Sequence, residues 1–175
     1  ANLKLPEEYP ELPHIAPNNV EANTGRLLPV KTVREDKVFS PNHLFSPGSI
    51  IYSKIRPYLC KAVVVDFEGL CSADMYPIVT SLNIRFLHMW LISTYFTMYA
   101  SQNQARVVLP KINQAALNKL PVPVPPVDIQ ENIAEKKEAI FSYADALQAK
   151  LTIAYERVES LAASILAKAF RGELV

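Results

Sequence analysis

Glycine is scarce in this chain of 175 residues, with only four copies, and no two are spaced to form a phosphate-cradling loop. A dinucleotide- or nucleotide-binding fold needs closely set glycines so that backbone amides can approach the phosphates, so no glycine-rich cofactor loop exists. Cysteine is scarcer still. Cys60 and Cys71 are too few for a disulfide framework and lack metal-ligand spacing, so both are expected in the core of a protein of the reducing cytoplasm. His14, His43 and His88 are scattered, with none at helical or hairpin ligand spacing, so structural or surface roles are expected and no metal site. Long apolar runs are missing too. The tightest, Trp90 to Phe96, cannot cross a bilayer, and no basic-then-apolar leader occurs, so neither a membrane partner nor secretion is expected. Catalytic chemistry is equally thin. Val124-Pro125-Pro126 lacks the Asn or Asp that opens the catalytic loop of amino-methylating enzymes. Glu135-Lys136-Lys137 spells half of a nuclease motif, but on a helix its ends at i and i+2 do not face one another. No catalytic residue and no cofactor of the chain's own is expected.

What is abundant is helical periodicity. Asp128 to Arg171 holds no Gly or Pro, and Ile133, Lys137, Ile140, Ala144, Leu147, Leu151, Ala154, Val158, Leu161 and Ile165 follow one another in steps of four and three. That alternation is the seam of a coiled coil, broken only by Lys137. Pro125 and Pro126 precede the segment, and Asp128 with Glu131 complements the positive end of the helix dipole. Lys168 and Arg171 fall in the last turn, and Gly172 supplies the stop. At about 1.5 Å per residue the rod is on the order of 60 Å long, so most of it must project or find a partner. Ile133, Ile140, Leu147, Leu151, Val158, Leu161 and Ile165 are the expected pairing residues; pairing within a chain and between chains look identical in this pattern.

Charge separates the rod from what precedes it. Residues 26–127 hold eleven Lys or Arg against five acids, whereas residues 128–175 hold six against eight. A basic domain followed by a slightly acidic rod points to a polyanion partner for the domain. Within it, Pro6, Pro10, Pro13 and Pro17 predict an irregular arm over residues 1–30, wrapping the surface as far as the Asn23-Thr24-Gly25 turn. Strands are expected in Val30 to Phe39, Ser49 to Ile55, Tyr58 to Phe67 and Leu70 to Val79, and one buried helix from Ile84 to about Ala100. A short helix ends near Leu120. Pro121, Pro123 and Pro125 then remove every second amide donor, which makes residues 121–127 a stiff joint to the rod. The fold class is α+β: a small mixed globular domain over 1–127 and one long coiled-coil-type helix over 128–175.

Basic and aromatic residues interleave at one place. If Tyr52 to Tyr58 is extended, Tyr52, Lys54, Arg56 and Tyr58 share a face, with Lys61 just beyond. Lys and Arg neutralise phosphates, Arg can grip guanine through two bonds, and tyrosines pack on sugars or bases. Arg106 with Gln102 and Gln104, and Lys111 with Asn113 and Gln114, form a second polar cluster. The candidate DNA-binding set is therefore Tyr52, Lys54, Arg56, Tyr58, Lys61, Arg106 and Lys111.

Taken in order, Ile51 to Tyr58, Leu70 to Pro77, Leu109 to Gln114, Leu120 to Pro126 and Ser164 to Val175 (Ser-Ile-Leu-Ala-Lys-Ala-Phe-Arg-Gly-Glu-Leu-Val) resemble the specificity subunit of type I restriction-modification systems. The resemblance covers most of the chain and keeps the family's order of recognition domain, proline-rich joint and conserved helix. It implies a scaffold that reads double-stranded DNA and has no active site of its own. In that family two recognition domains, joined by two antiparallel helices, each read half of a split site, and this chain resembles the carboxy-terminal unit. The implied partners are methyltransferase subunits carrying S-adenosylmethionine, an endonuclease-translocase subunit, and a second specificity half or a second copy pairing through the helix. Recognition domains vary within the family, so base-reading residues do not carry over. The alternative from the residues alone is a coiled-coil structural or interaction adaptor whose basic domain binds protein.

Overall fold

The computed structural model describes residues 3–101 and 110–173. Among these residues eight strands are present: β1 (Leu3–Lys4), β2 (Pro13–Ile15), β3 (Lys31–Thr32), β4 (Asn42–Phe45), β5 (Ser49–Ser53), β6 (Ala62–Val65), β7 (Gly69–Cys71) and β8 (Met75–Ile78). They form a five-stranded sheet in the order β1-β4-β7-β2-β3 and a three-stranded sheet in the order β6-β5-β8. The smaller sheet is antiparallel, and β5 is its middle strand, with Ile51 opposite Val63 on one side and Pro77 on the other.

Every residue of β5 is buried, because both of its faces are covered. Ile51 joins Val63, Val65 and Met75 of its own sheet to Ile15, Phe45 and Cys71 of the larger sheet in one apolar cluster. Ile50 and Tyr52 point the other way, into a second cluster with Leu87 and Leu91 of helix α1 (Ile84–Leu91) and Phe96 and Ala100 of helix α2 (Thr94–Ala100). The order of layers is sheet, sheet, helices. Cys60 and Cys71 are both buried and free, and burial pushes the Cys71 thiol up to about 12.

Three expectations are corrected here. The amino-terminal segment is part of the core and not a surface wrap: β2 pairs parallel with β7 inside the larger sheet, and Ile15 and Val20 are fully buried. Its prolines permit this, since Pro13 stands at the first residue of β2, where the missing donor is tolerated, and Pro6 and Pro17 open short 3-10 turns. The expected strand from Leu70 to Val79 is two strands parted by the Ser72–Asp74 turn, which is held by Met75 N–H donating to Ser72 O and Ala73 N–H to Asn42 Oδ1. The single helix expected over 84–100 is broken at Ser93, whose hydroxyl donates to Trp90 O at 2.7 Å and accepts from Phe96 N–H at 3.2 Å. It closes one helix and caps the next.

By internal contacts the chain divides into Ala1–Glu131 and Asn132–Val175. Helix α4 runs from Val127 to Phe170 without interruption, within one residue of the span read from periodicity at each end. Gly172 follows in the left-handed region (φ 69), and Glu173 N–H reaches back to Lys168 O, a closure that glycine favours. At the other end Gln130 is buried: its amide donates to Pro125 O at 2.8 Å and accepts from Asn83 N–H at 2.9 Å. Asn83 in turn caps α1 through Arg85 and Phe86 N–H. One buried amide thus fastens the first turn of the long helix to the start of α1 and to the proline joint.

Candidate nucleic-acid interface

Strand β5 ends at Ser53, and the chain then does something regular extension would forbid. Arg56 adopts a left-handed conformation (φ 46), Pro57–Leu59 make a 3-10 turn, and Cys60 is left-handed again (φ 49). Left-handed backbone costs a non-glycine residue roughly 1–2 kcal/mol, so two such residues flanking one turn require support from their surroundings. They have it. Arg56 N–H donates to Pro110 O at 2.8 Å, Asn23 N–H to Leu59 O at 3.1 Å, and the Cys60 thiol lies 2.9 Å from the Thr97 hydroxyl on α2. Ile112 N–H donates to Lys54 O, and Ile55 bridges Lys111, so residues 110–112 lie beside 54–56. Lys111 is thereby brought beside Lys54 and Arg56, far from it in sequence.

That surface borders a depression of about 330 Å³ lined by residues that include Asn18, Ser53, Arg56, Lys61 and Asp74. Arg56 is exposed, and its guanidinium makes no hydrogen bond among the described residues. Tyr58, half exposed, stands on the same turn. The Lys61 ammonium donates to Pro17 O at 2.7 Å, drawing the amino-terminal segment to the rim. Lys54 is engaged on three sides: it donates to Ala73 O at 2.5 Å, lies 3.5 Å from Asp74 Oδ1 and sits over the Tyr76 ring at 5.6 Å. Lys111 approaches the same Asp74 oxygen at 3.1 Å.

Tyr52 does not belong to this surface, which corrects the shared face expected for residues 52–58. It is 1% exposed, its ring packs edge-on against Phe96 at 5.8 Å, and burial raises its phenol well above the ordinary range. The alternation that placed it beside Lys54 and Arg56 fails because the strand has already ended. Arg106, with Gln102 and Gln104, lies outside the described residues. Asn113 accepts from Ala116 N–H at 2.8 Å and caps the short helix α3 (Gln114–Leu117). Sequence reasoning missed Asp74 and Gln130; the signal for Asp74 was its rarity, one of five acids in a basic stretch of a hundred residues.

The three histidines are all buried. His14 Nδ1 lies 2.8 Å from Asp36 Oδ2, His88 donates to Ala62 O at 2.9 Å, and burial holds His43 below the ordinary imidazole range. Among the described residues no group of three or more His, Cys, Asp or Glu could hold a metal ion, and no helix is long and apolar enough to cross a membrane.

A small mixed domain with a strained turn and a cationic rim continues into a single long helix with an exposed apolar stripe. Residues 2–156 match the family described as type I restriction modification DNA specificity domain, and the chain belongs to that family. It is 49% identical over 174 residues to the type I restriction enzyme EcoDI specificity subunit of Escherichia coli, covering 99% of this chain and 39% of that protein. It is 39% identical over 89 residues to the EcoBI specificity subunit, covering 51% of this chain and 19% of that one. The fold is shared with the HsdS subunit from Thermoanaerobacter tengcongensis (TM-score 0.74, 18% identity, 95% of this chain and 45% of that chain). A chain from a structure of type I R-M complex assembly and conformational transition gives a TM-score of 0.76 at 19% identity, with the same coverage. The chain thus spans less than half the length of the relatives it matches.

Proposed function

We propose that this chain reads one half of a bipartite site in double-stranded DNA, on behalf of a type I restriction-modification complex, and that it has no catalytic residue of its own. What supports this reading is a chain of the DNA specificity family in which Arg56, in left-handed backbone, and Lys61 line one depression, Tyr58 stands on the turn of Arg56, and Lys111 approaches Asp74 of that lining. In this reading the long helix pairs with a second specificity half or a second copy. Methyltransferase subunits bring S-adenosylmethionine, an endonuclease-translocase subunit joins them, and the assembly works in the cytoplasm. Within the rim, Arg56 is the freest cation and the proposed base or phosphate grip, while Lys54, tied to Ala73 and Asp74, shapes the rim more than it tracks the backbone.

Arg56→Gly separates function from folding. Glycine relieves the left-handed strain, so the melting temperature will stay level or rise, as for a change worth up to about 1 kcal/mol. Binding to the recognised half-site, measured in the assembled methyltransferase, will weaken by about 1–3 kcal/mol. Affinity unchanged in a well-folded variant would remove Arg56 from the interface. In the wild type the logarithm of the binding constant will fall steeply and linearly with the logarithm of salt concentration, as counterions leave the phosphates. A salt-insensitive complex would favour a protein-binding adaptor instead. The purified chain alone, supplied with S-adenosylmethionine and magnesium, will neither methylate nor cut DNA; turnover surviving repurification would refute the non-catalytic reading.

A further inference from the structure

Asp74 stands where a simple phosphate-binding surface would have no carboxylate. It is the one acid among the described residues lining the depression beside Arg56 and Lys61, and its side chain is about a third exposed (37%). A carboxylate there repels phosphate, so its presence weakens binding to every sequence. The turn that carries it does not need it. Lys54 N–H donates to Asp74 O, Asp74 N–H to Ser72 Oγ, Met75 N–H to Ser72 O and Ala73 N–H to Asn42 Oδ1, none of which involves the carboxylate. What the carboxylate does have is a fixed position: Lys54 and Lys111, from two different segments, both approach Oδ1, at 3.5 and 3.1 Å. Oδ2 takes part in neither contact.

We infer that Asp74 is a specificity-determining residue that accepts a hydrogen bond from the exocyclic amino group of a base in the major groove, cytosine N4 or adenine N6. The inference rests on the DNA-reading function proposed above. An ionised carboxylate can only accept. In the major groove cytosine and adenine present amino donors, whereas guanine and thymine present acceptor oxygens at the corresponding edge, which a carboxylate repels. Discrimination therefore comes as much from rejecting guanine and thymine as from holding the amino base. The flanking ammonium groups give the carboxylate one orientation before DNA arrives, so little side-chain freedom is lost on binding.

The test uses the assembled methyltransferase and a panel of duplexes in which each position of its half-site is replaced by every other base. The wild type is expected to prefer cytosine or adenine at one position, the panel itself reporting which. Asp74→Ala is expected to flatten that preference by about 5- to 150-fold, the range of one good polar contact to a base edge, while profiles at the remaining positions persist. Asp74→Asn keeps the shape of the side chain and guards against a folding defect in the alanine variant; it is expected to lose the rejection of guanine and thymine at the same position. Equal weakening or tightening for all sequences in both variants would make Asp74 a tether for the lysines and overturn the inference, with DNA reading intact. Absence of any sequence preference in the wild-type assembly would overturn both.

Discussion

Gly25→Ala will lower the unfolding free energy by about 3 kcal/mol, a large share of the 5–15 kcal/mol typical of a domain. Two independent effects add. Gly25 has φ +69, where an L side chain costs roughly 1–2 kcal/mol. An added methyl would also press on the His88 imidazole and stand 2.7 Å from Ala62 O, the carbonyl that accepts the buried His88 bond. Because one neighbour is backbone, the site cannot relax by turning a side chain, and overpacking of this kind costs a further 1–3 kcal/mol or so. Gly48 is the internal control. It too has positive φ (+77), but its methyl would meet nothing within 4 Å, so Gly48→Ala carries the same conformational cost alone, roughly 1–2 kcal/mol. Urea unfolding of the two variants measures the difference, and equal losses would show that the contact with His88 and Ala62 contributes nothing. The consequence reaches the rim as well, since the neighbouring Asn23 amide supports the turn of Arg56 and Tyr58 through Leu59 O.

The long helix was legible to within a residue because a strict heptad without glycine or proline has one structural meaning. The layered domain was only partly so. Three-residue strands such as β2 carry too little periodicity to register, and prolines every three or four residues hid the fact that Ile15 and Val20 fill the core. Tyr52 was misplaced because a strand buried on both faces shows no polar alternation of its own, so the alternation was borrowed from Lys54 and Arg56 beyond its end. That Lys111 joins the first cluster is a long-range pairing, Ile55 with Lys111, which no local pattern encodes. Gln130 reads in sequence like any solvent-facing helical amide. Only the amide of Asn83, brought to it by folding, makes it a fastener.

The proposed pairing of the long helix yields the largest change expected from a substitution. In the single chain Leu147 and Leu151 are half exposed, and Ile140, Val158, Leu161 and Ile165 more so, all on the a/d seam of α4. Covering a leucine stabilises by roughly 1.5–3 kcal/mol, and carrying a carboxylate into the same dry position costs several more. In a pair of identical helices each substitution enters twice. Leu147→Glu with Leu151→Glu is therefore expected to dissociate a self-associated chain at every practical concentration, seen in sedimentation as a shift from dimer to monomer, while β-sheet signals of the domain persist. Ser142→Glu with Ala149→Glu adds the same charges two residues before seam positions, on the side of α4 facing away from the stripe, and will leave the association intact. Phe141 and Tyr155, each one position after a seam residue, widen the apolar stripe beyond what a strict two-helix contact needs, so substitutions there will weaken association less than those on the seam. A dimer that survives the leucine pair but not the outward pair would place the contact on the opposite face of the helix.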